Sequence, residues 1–139
     1  MKKILIALSL IVSLANSFEL NTQMQGYMNT LKIQAVKDNK NFKDFDYKRG
    51  KEIFTSEHIG KKNKLISCVS CHGINLQNEG RNIHTNKIIK PLSPYINTKR
   101  LIKVKSVKKW LRRNFRDVYK VEGTAQEKGD VLVYIMNKK

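Results

Sequence analysis

The run Cys68-Val69-Ser70-Cys71-His72 constrains this chain more than any other stretch. Two thiols three residues apart lie on one tight turn, and the next residue is an imidazole. That spacing suits covalent capture of a haem. Each of the two vinyl groups on adjacent pyrroles takes one sulfur as a thioether, and His72 then sits under the ring within reach of the iron. Three rival readings use the same residues. A thioredoxin-like dithiol needs no trailing histidine and belongs in a βαβ context. Half a zinc site would draw on His84 or His58, but structural zinc takes four protein ligands at tighter, recurring spacing. The third rival is an ordinary disulfide. One haem c, covalent through Cys68 and Cys71 with His72 as axial ligand, is the reading adopted here.

The 139 residues suffice for one small domain. Lys2 and Lys3 form a basic start, Ile4 to Leu14 an apolar run too short to span a bilayer comfortably, and Ala15-Asn16-Ser17 a small-residue cleavage site. This predicts a secretion signal over residues 1–17 and a single domain over 18–139 that works in the periplasm. No later stretch is long and apolar enough for a membrane helix. The formal charge is +17; without Lys2 and Lys3 there are 26 basic residues against 11 acidic, or +15. An exported haem protein rarely meets nucleic acid, so no nucleic-acid partner is expected. Two readings of the charge stay open: drift toward solvated lysine and asparagine, or a positive face that steers an acidic redox partner.

Apolar positions at Leu20, Met24, Tyr27, Met28, Leu31 and Ala35 have helical spacing, with Asn21 or Thr22 as cap. Asp44 or Asp46 opens a second helix, Tyr47 to about Thr55, with Ile53 and Phe54 inward. Gly50 inside it costs about 1 kcal/mol relative to alanine, which suggests a close helix crossing. Basic and polar loops surround the haem motif, and Lys90-Pro91-Leu92-Ser93-Pro94 is held extended by its prolines. The Pro91 carbonyl is the candidate acceptor for the His72 ring N–H, a bond that would orient the imidazole and raise its basicity. Ser106 is expected to start a helix with Val107, Trp110, Leu111, Asn114 and Val118 on one face and Lys105, Lys108, Lys109, Arg112, Arg113 and Arg116 on the other. Trp110 either walls the haem pocket or fills core. Thr124-Ala125-Gln126-Glu127 is a capping box for a last helix carrying Val131, Leu132, Tyr134 and Ile135. Helices at both ends with a haem loop between them describe an all-α class I cytochrome c fold, in which the Gly50 helix crosses the last one near Tyr134.

Electron-carrying cytochromes c commonly bind iron through histidine and methionine. No methionine lies between Met28 and Met136, and Met136 falls in the last turn of the final helix, away from the iron. The remaining candidates for the sixth position are His84, Asn114, a lysine, water or nothing. A loop histidine such as His84 is most often a solvated surface residue. Asn114 puts an amide on an apolar helix face, where a missing partner costs roughly 1–3 kcal/mol. Either it caps the helix end or bonds backbone, or its amide faces the iron as a weak ligand that holds ferric and releases ferrous iron.

Several stretches resemble the sphaeroides haem protein family of small monohaem cytochromes c. They are Arg49-Gly50, Cys68-Val69-Ser70-Cys71-His72-Gly73, Lys87-Ile88-Ile89-Lys90-Pro91-Leu92-Ser93-Pro94, Val107-Lys108-Lys109-Trp110-Leu111-Arg112-Arg113-Asn114 and Glu127-Lys128. The likeness runs from Thr22 onward. It implies that Asn114 is the sixth ligand, that it leaves the iron on reduction, and that ferrous haem then binds oxygen or another diatomic gas. It also implies a dihaem cytochrome c as electron partner, alongside a membrane b-type cytochrome. Some members carry a disulfide near the ligand asparagine; Phe115 and Gly123 stand there instead, which predicts a looser loop. Asn86 replaces a usual glycine and tolerates left-handed backbone. The rivals are a plain electron shuttle closed by His84, and a gas carrier or sensor without turnover; slow reduction of the bound ligand is a further option.

Overall fold

The computed structural model describes residues 18–137. The expected secretion signal, residues 1–17, lies outside the described residues. Five helices carry the fold among those described: α1 Thr22–Asp38, α2 Tyr47–Thr55, α3 Val69–His72, α4 Val104–Tyr119 and α5 Ala125–Met136. No helix among them is long and apolar enough to cross a membrane.

Side-chain caps define three of the helix starts. Asn21 accepts from the Met24 N–H, Asp46 from the Arg49 N–H, and Thr124 with Glu127 closes the expected capping box. The apolar stripe of α1 buries Met24, Tyr27, Leu31 and Ala35 against the rest of the core. α2 and α5 cross at Gly50, where an added Cβ would lie 2.0 Å from the Asp130 carbonyl oxygen. Only a residue without a side chain lets the two backbones come so close. Tyr134 fills the crossing, with its ring 5.4 Å from Tyr47 and 5.2 Å from Phe54.

The Asp130 carboxylate, 1 % exposed, is held beside this crossing. It accepts from Arg49 Nε at 2.8 Å, Arg49 Nη2 at 3.0 Å and the Asp46 N–H at 2.7 Å. Three donors and one countercharge satisfy a group that burial alone would penalise.

Several expectations need correction. α4 begins at Val104, two residues before Ser106, with no side-chain cap at Lys103. Its buried positions are Leu111, Phe115 and Val118. Trp110 does not fill core: it is 46 % exposed, with Lys109 Nζ at 5.3 Å and the Arg113 guanidinium at 5.0 Å over its ring. Several contacts surround the loop after α4, where the disulfide is missing. The Phe115 ring lies against Gly123, where a Cβ would come within 2.6 Å of it. Arg116 pairs with Glu122, and the Tyr119 hydroxyl donates to the Ile53 carbonyl. The loops also contain two unexpected hairpins. β1 His58–Ile59 pairs with β2 Leu65–Ile66, and β3 Gly80–Arg81 with β4 Ile88–Ile89, all antiparallel. Two-residue strands show no alternation a sequence pattern can register. Asn86, between β3 and β4, has φ 58°, the left-handed backbone expected of it.

Candidate haem site

Cys68 opens the single turn of α3, and its carbonyl accepts from the Cys71 and His72 N–H groups at 3.2 and 3.0 Å. The Ser67 N–H donates to the Ser70 hydroxyl at 3.0 Å, closing the same turn from the front. Gly73 follows at φ +71°, a left-handed conformation that suits glycine and ends the turn. β3 packs on the back of the motif, so closely that a Cβ on Gly80 would meet the Cys71 carbonyl at 2.1 Å. Leu76 and Phe54 are fully buried, and the Phe54 ring stands 6.0 Å from that of His72.

No disulfide joins Cys68 to Cys71. Burial, and then neighbouring Cys71, push the Cys68 thiol up to about 12. Burial, and then the Arg100 charge, push the His72 imidazole down to about 4. At neutral pH the thiol is therefore protonated and the imidazole neutral, its lone pair available to a metal. These three groups fit a haem: two thiols on one turn for the two vinyls, then a neutral imidazole for the iron. The disulfide reading does not describe this site. The zinc reading lacks ligands, because no group of three or more His, Cys, Asp or Glu residues that could hold a metal occurs among the described residues.

The structure distributes the other candidates over separate elements. His84 lies between β3 and β4, lining a depression of about 620 Å³ with Ser70, Arg81 and Asn82, among others. Its N–H, like that of Thr85, donates to the Asn82 side chain at 2.9 Å. Asn114 is half-buried in α4, between Leu111 and Phe115. Helix capping does not explain it, since α4 runs to Tyr119 and ends on Lys120. Its amide makes no hydrogen bond among the described residues. The Pro91 carbonyl is engaged otherwise than expected: it accepts from Asn97 Nδ2 at 3.1 Å and Arg100 Nε at 2.9 Å. Asn97 and Arg100 were not among the residues singled out by sequence, and nothing in their spacing marks them. The cations Lys105, Lys108, Lys109, Arg112, Arg113 and Arg116 are all exposed on α4. Asp117, the one acid of that helix, pairs with Lys61 at 3.2 Å.

The family described as "Domain of unknown function (DUF1924)" matches residues 40–135. The chain is 36 % identical over 90 residues to the cytochrome c-type protein SHP of Cereibacter sphaeroides, covering 65 % of this chain and 69 % of that protein. It is 32 % identical over 89 residues to cytochrome c'' of Methylophilus methylotrophus, covering 64 % and 62 %. Oxidised cytochrome c'' superposes with a TM-score of 0.75 at 26 % identity, over 85 % of this chain and 96 % of that one. Oxidised SHP, described as an oxygen-binding cytochrome c, superposes with a TM-score of 0.70 at 29 % identity, over 81 % and 94 %. The solution structure of cytochrome c'', with a TM-score of 0.73 at 27 % identity over 84 % and 94 %, is described in terms of haem-ligand detachment.

Proposed function

This chain belongs to the DUF1924 family and is a monohaem cytochrome c of the SHP and cytochrome c'' type, and from that premise we propose that it carries electrons and, once reduced, opens its sixth haem position to oxygen or another diatomic gas. Attached through Cys68 and Cys71, a haem would supply a one-electron iron centre. His72 would hold the iron with its neutral imidazole, and Asn114 would be the second protein ligand. The single observation that carries this reading is the Asn114 amide: half-buried, mid-helix, and without a hydrogen bond among the described residues. An amide is a hard, weak donor, better matched to ferric than to ferrous iron. It would therefore hold the oxidised state more firmly than the reduced one, which would leave room for a small ligand on reduction. The description of SHP as oxygen-binding and of cytochrome c'' in terms of ligand detachment supports the same behaviour here.

Carbon monoxide tests the reading. Added to the dithionite-reduced protein, it shifts the Soret band at once; a ferrous spectrum that ignores it means a closed iron and ends the proposal.

In this reading the protein works in the periplasm, in keeping with the leader expected at residues 1–17, and its electron partner is acidic. The α4 cations support such a partner, a dihaem cytochrome c in the family resembled. Lengthening the ionic range tests the point. The Debye length falls from about 30 Å at 0.01 M salt to about 8 Å at 0.15 M. Over that interval the second-order rate with an acidic dihaem cytochrome c drops by about tenfold or more. A rate independent of salt removes the α4 face from the account.

A further inference from the structure

The β1–β2 hairpin has two unlike faces. His58 pairs with Ile66 and Ile59 with Leu65; cross-strand partners share a face, and successive pairs alternate between faces. The first pair turns inward. Ile66 is 4 % exposed, and the His58 ring lies 4.2 Å from that of Tyr119. The second pair therefore turns outward, and Ile59 and Leu65 are each 57 % exposed.

The connection between the strands is Gly60-Lys61-Lys62-Asn63-Lys64. The Gly60 N–H donates to the Lys64 carbonyl at 2.9 Å, and the Asn63 N–H to the Gly60 carbonyl at 3.1 Å. This turn is seated on the end of α4. A Cβ on Gly60 would meet the Asp117 carbonyl oxygen at 2.4 Å. Lys61 pairs with Asp117 at 3.2 Å, and Lys120 Nζ donates to Asn63 Oδ1 at 3.1 Å. Val121, next to Lys120, is exposed. Three aliphatic side chains and four lysines thus share one end of the molecule. Asp117 is taken by Lys61 and Glu122 by Arg116. Glu57, just ahead of β1, stands against Lys62, Lys64 and Lys120.

Composition decides the occupant. Protein interfaces place Trp, Tyr and Arg at their hot spots, with Leu and Val scarce there and Lys depleted. This patch has the reverse make-up: from Ile59 to Leu65 there is neither an arginine nor an aromatic ring. Aliphatic groups that enter the headgroup boundary of a bilayer, ringed by ammonium groups on long stems that reach lipid phosphates, make a peripheral membrane contact. The net charge draws the whole molecule to an anionic surface; the hairpin decides which end meets it.

We propose that the β1–β2 hairpin, with the adjoining end of α4, is a docking patch for an anionic phospholipid surface. Leu65 stands three residues before Cys68, so the docked protein holds its haem motif close to the membrane. The proposal is independent of Asn114 and of how the iron behaves.

The test sediments the haem-loaded protein with vesicles of phosphatidylglycerol and phosphatidylcholine in equal parts, and with vesicles of phosphatidylcholine alone. Soret absorbance of the pellet gives the bound fraction. The parent pellets with the anionic vesicles and stays in solution with the neutral ones. Each lysine beside an anionic surface is worth about fivefold in partitioning, so Lys62→Gln with Lys64→Gln lowers binding about 25-fold. Ile59→Ser with Leu65→Ser, on the outward face, lowers it about tenfold or more. Lys37→Gln with Lys40→Gln removes the same charge at the end of α1 and stays within about twofold of the parent. Equal losses from the two lysine pairs mean attraction by net charge alone and overturn the proposal. So does a parent that ignores anionic vesicles, or a serine pair that binds like the parent. A serine pair that keeps vesicle binding but slows electron transfer with an acidic dihaem cytochrome c assigns the patch to a protein, and overturns it too. If the serine pair does not fold, the two lysine pairs decide. A parent blind to carbon monoxide refutes the open-site reading and leaves the vesicle result standing.

Discussion

Asn114→Ala is expected to change the ferric spectrum, leaving an iron with its imidazole ligand alone or with a weakly held water. The change is expected to be all-or-none in the absorption and EPR spectra, because the alanine methyl cannot reach or bind a metal. The fold should survive it. Position 114 lies well inside α4, ten residues after Val104 and five before Tyr119, and alanine is a better helix former than asparagine by roughly half a kcal/mol. No hydrogen bond among the described residues is lost. Neighbouring Leu111 and Phe115 keep their burial, and Phe115 still seats Gly123. A structural asparagine would give the opposite result: unchanged spectrum, lower stability. Persistence of a six-coordinate low-spin ferric form after the substitution hands the sixth position to His84 or a lysine, and the function proposed above then fails with its key residue.

The second large effect concerns stability. Asp130→Ala removes the acceptor of three hydrogen bonds at the α2–α5 crossing, two from Arg49 and one from the Asp46 N–H. Breaking a buried pair by deleting one partner costs about 3–5 kcal/mol. The lower end applies here, because Arg49 is 44 % exposed and regains water when its partner is gone. The backbone donor of Asp46, at the cap of α2, fares worse, and the cap itself loosens with it. Urea unfolding of the haem-loaded protein should show a midpoint lowered accordingly with an unchanged slope. Asp130→Asn separates the contributions: it keeps the volume and one acceptor oxygen, and should lose less than alanine does. A stability equal to the parent's in both variants means that Arg49 and Asp46 re-pair elsewhere at no cost.

The legible part of this molecule was local. Helix caps at Asn21, Asp46 and Thr124 involve residues three apart, so the chemistry of each start is written in four letters. The start of α2 at Tyr47 was legible for that reason, and its end was read to about Thr55. The start of α4 was misread because Val104 begins it without a side-chain cap, and Ser106 two residues later looked like one. The helical repeat put Trp110 and Leu111 on the same side. Packing separated them, burying Leu111 and leaving the indole on the cationic surface under Lys109 and Arg113. Asn114 was singled out because an amide interrupts an apolar stripe, a local signal again. Its lack of a hydrogen-bond partner required the folded chain.

Covalent haem attachment was fully determined by sequence, because two thiols and an imidazole need only one turn of backbone to act together, and five consecutive residues contain that turn. The lack of any methionine between Met28 and Met136 is likewise legible in the sequence, as a matter of position. Tertiary structure alone decided that Arg100 and Asn97 occupy the Pro91 carbonyl, that Arg49 clamps Asp130 across 81 positions, and that Phe115 fills the place of a disulfide against Gly123. Each of these contacts depends on where a chain reversal or helix crossing brings distant residues together. Such geometry is set by the packing of the whole core, and no single stretch of sequence encodes it.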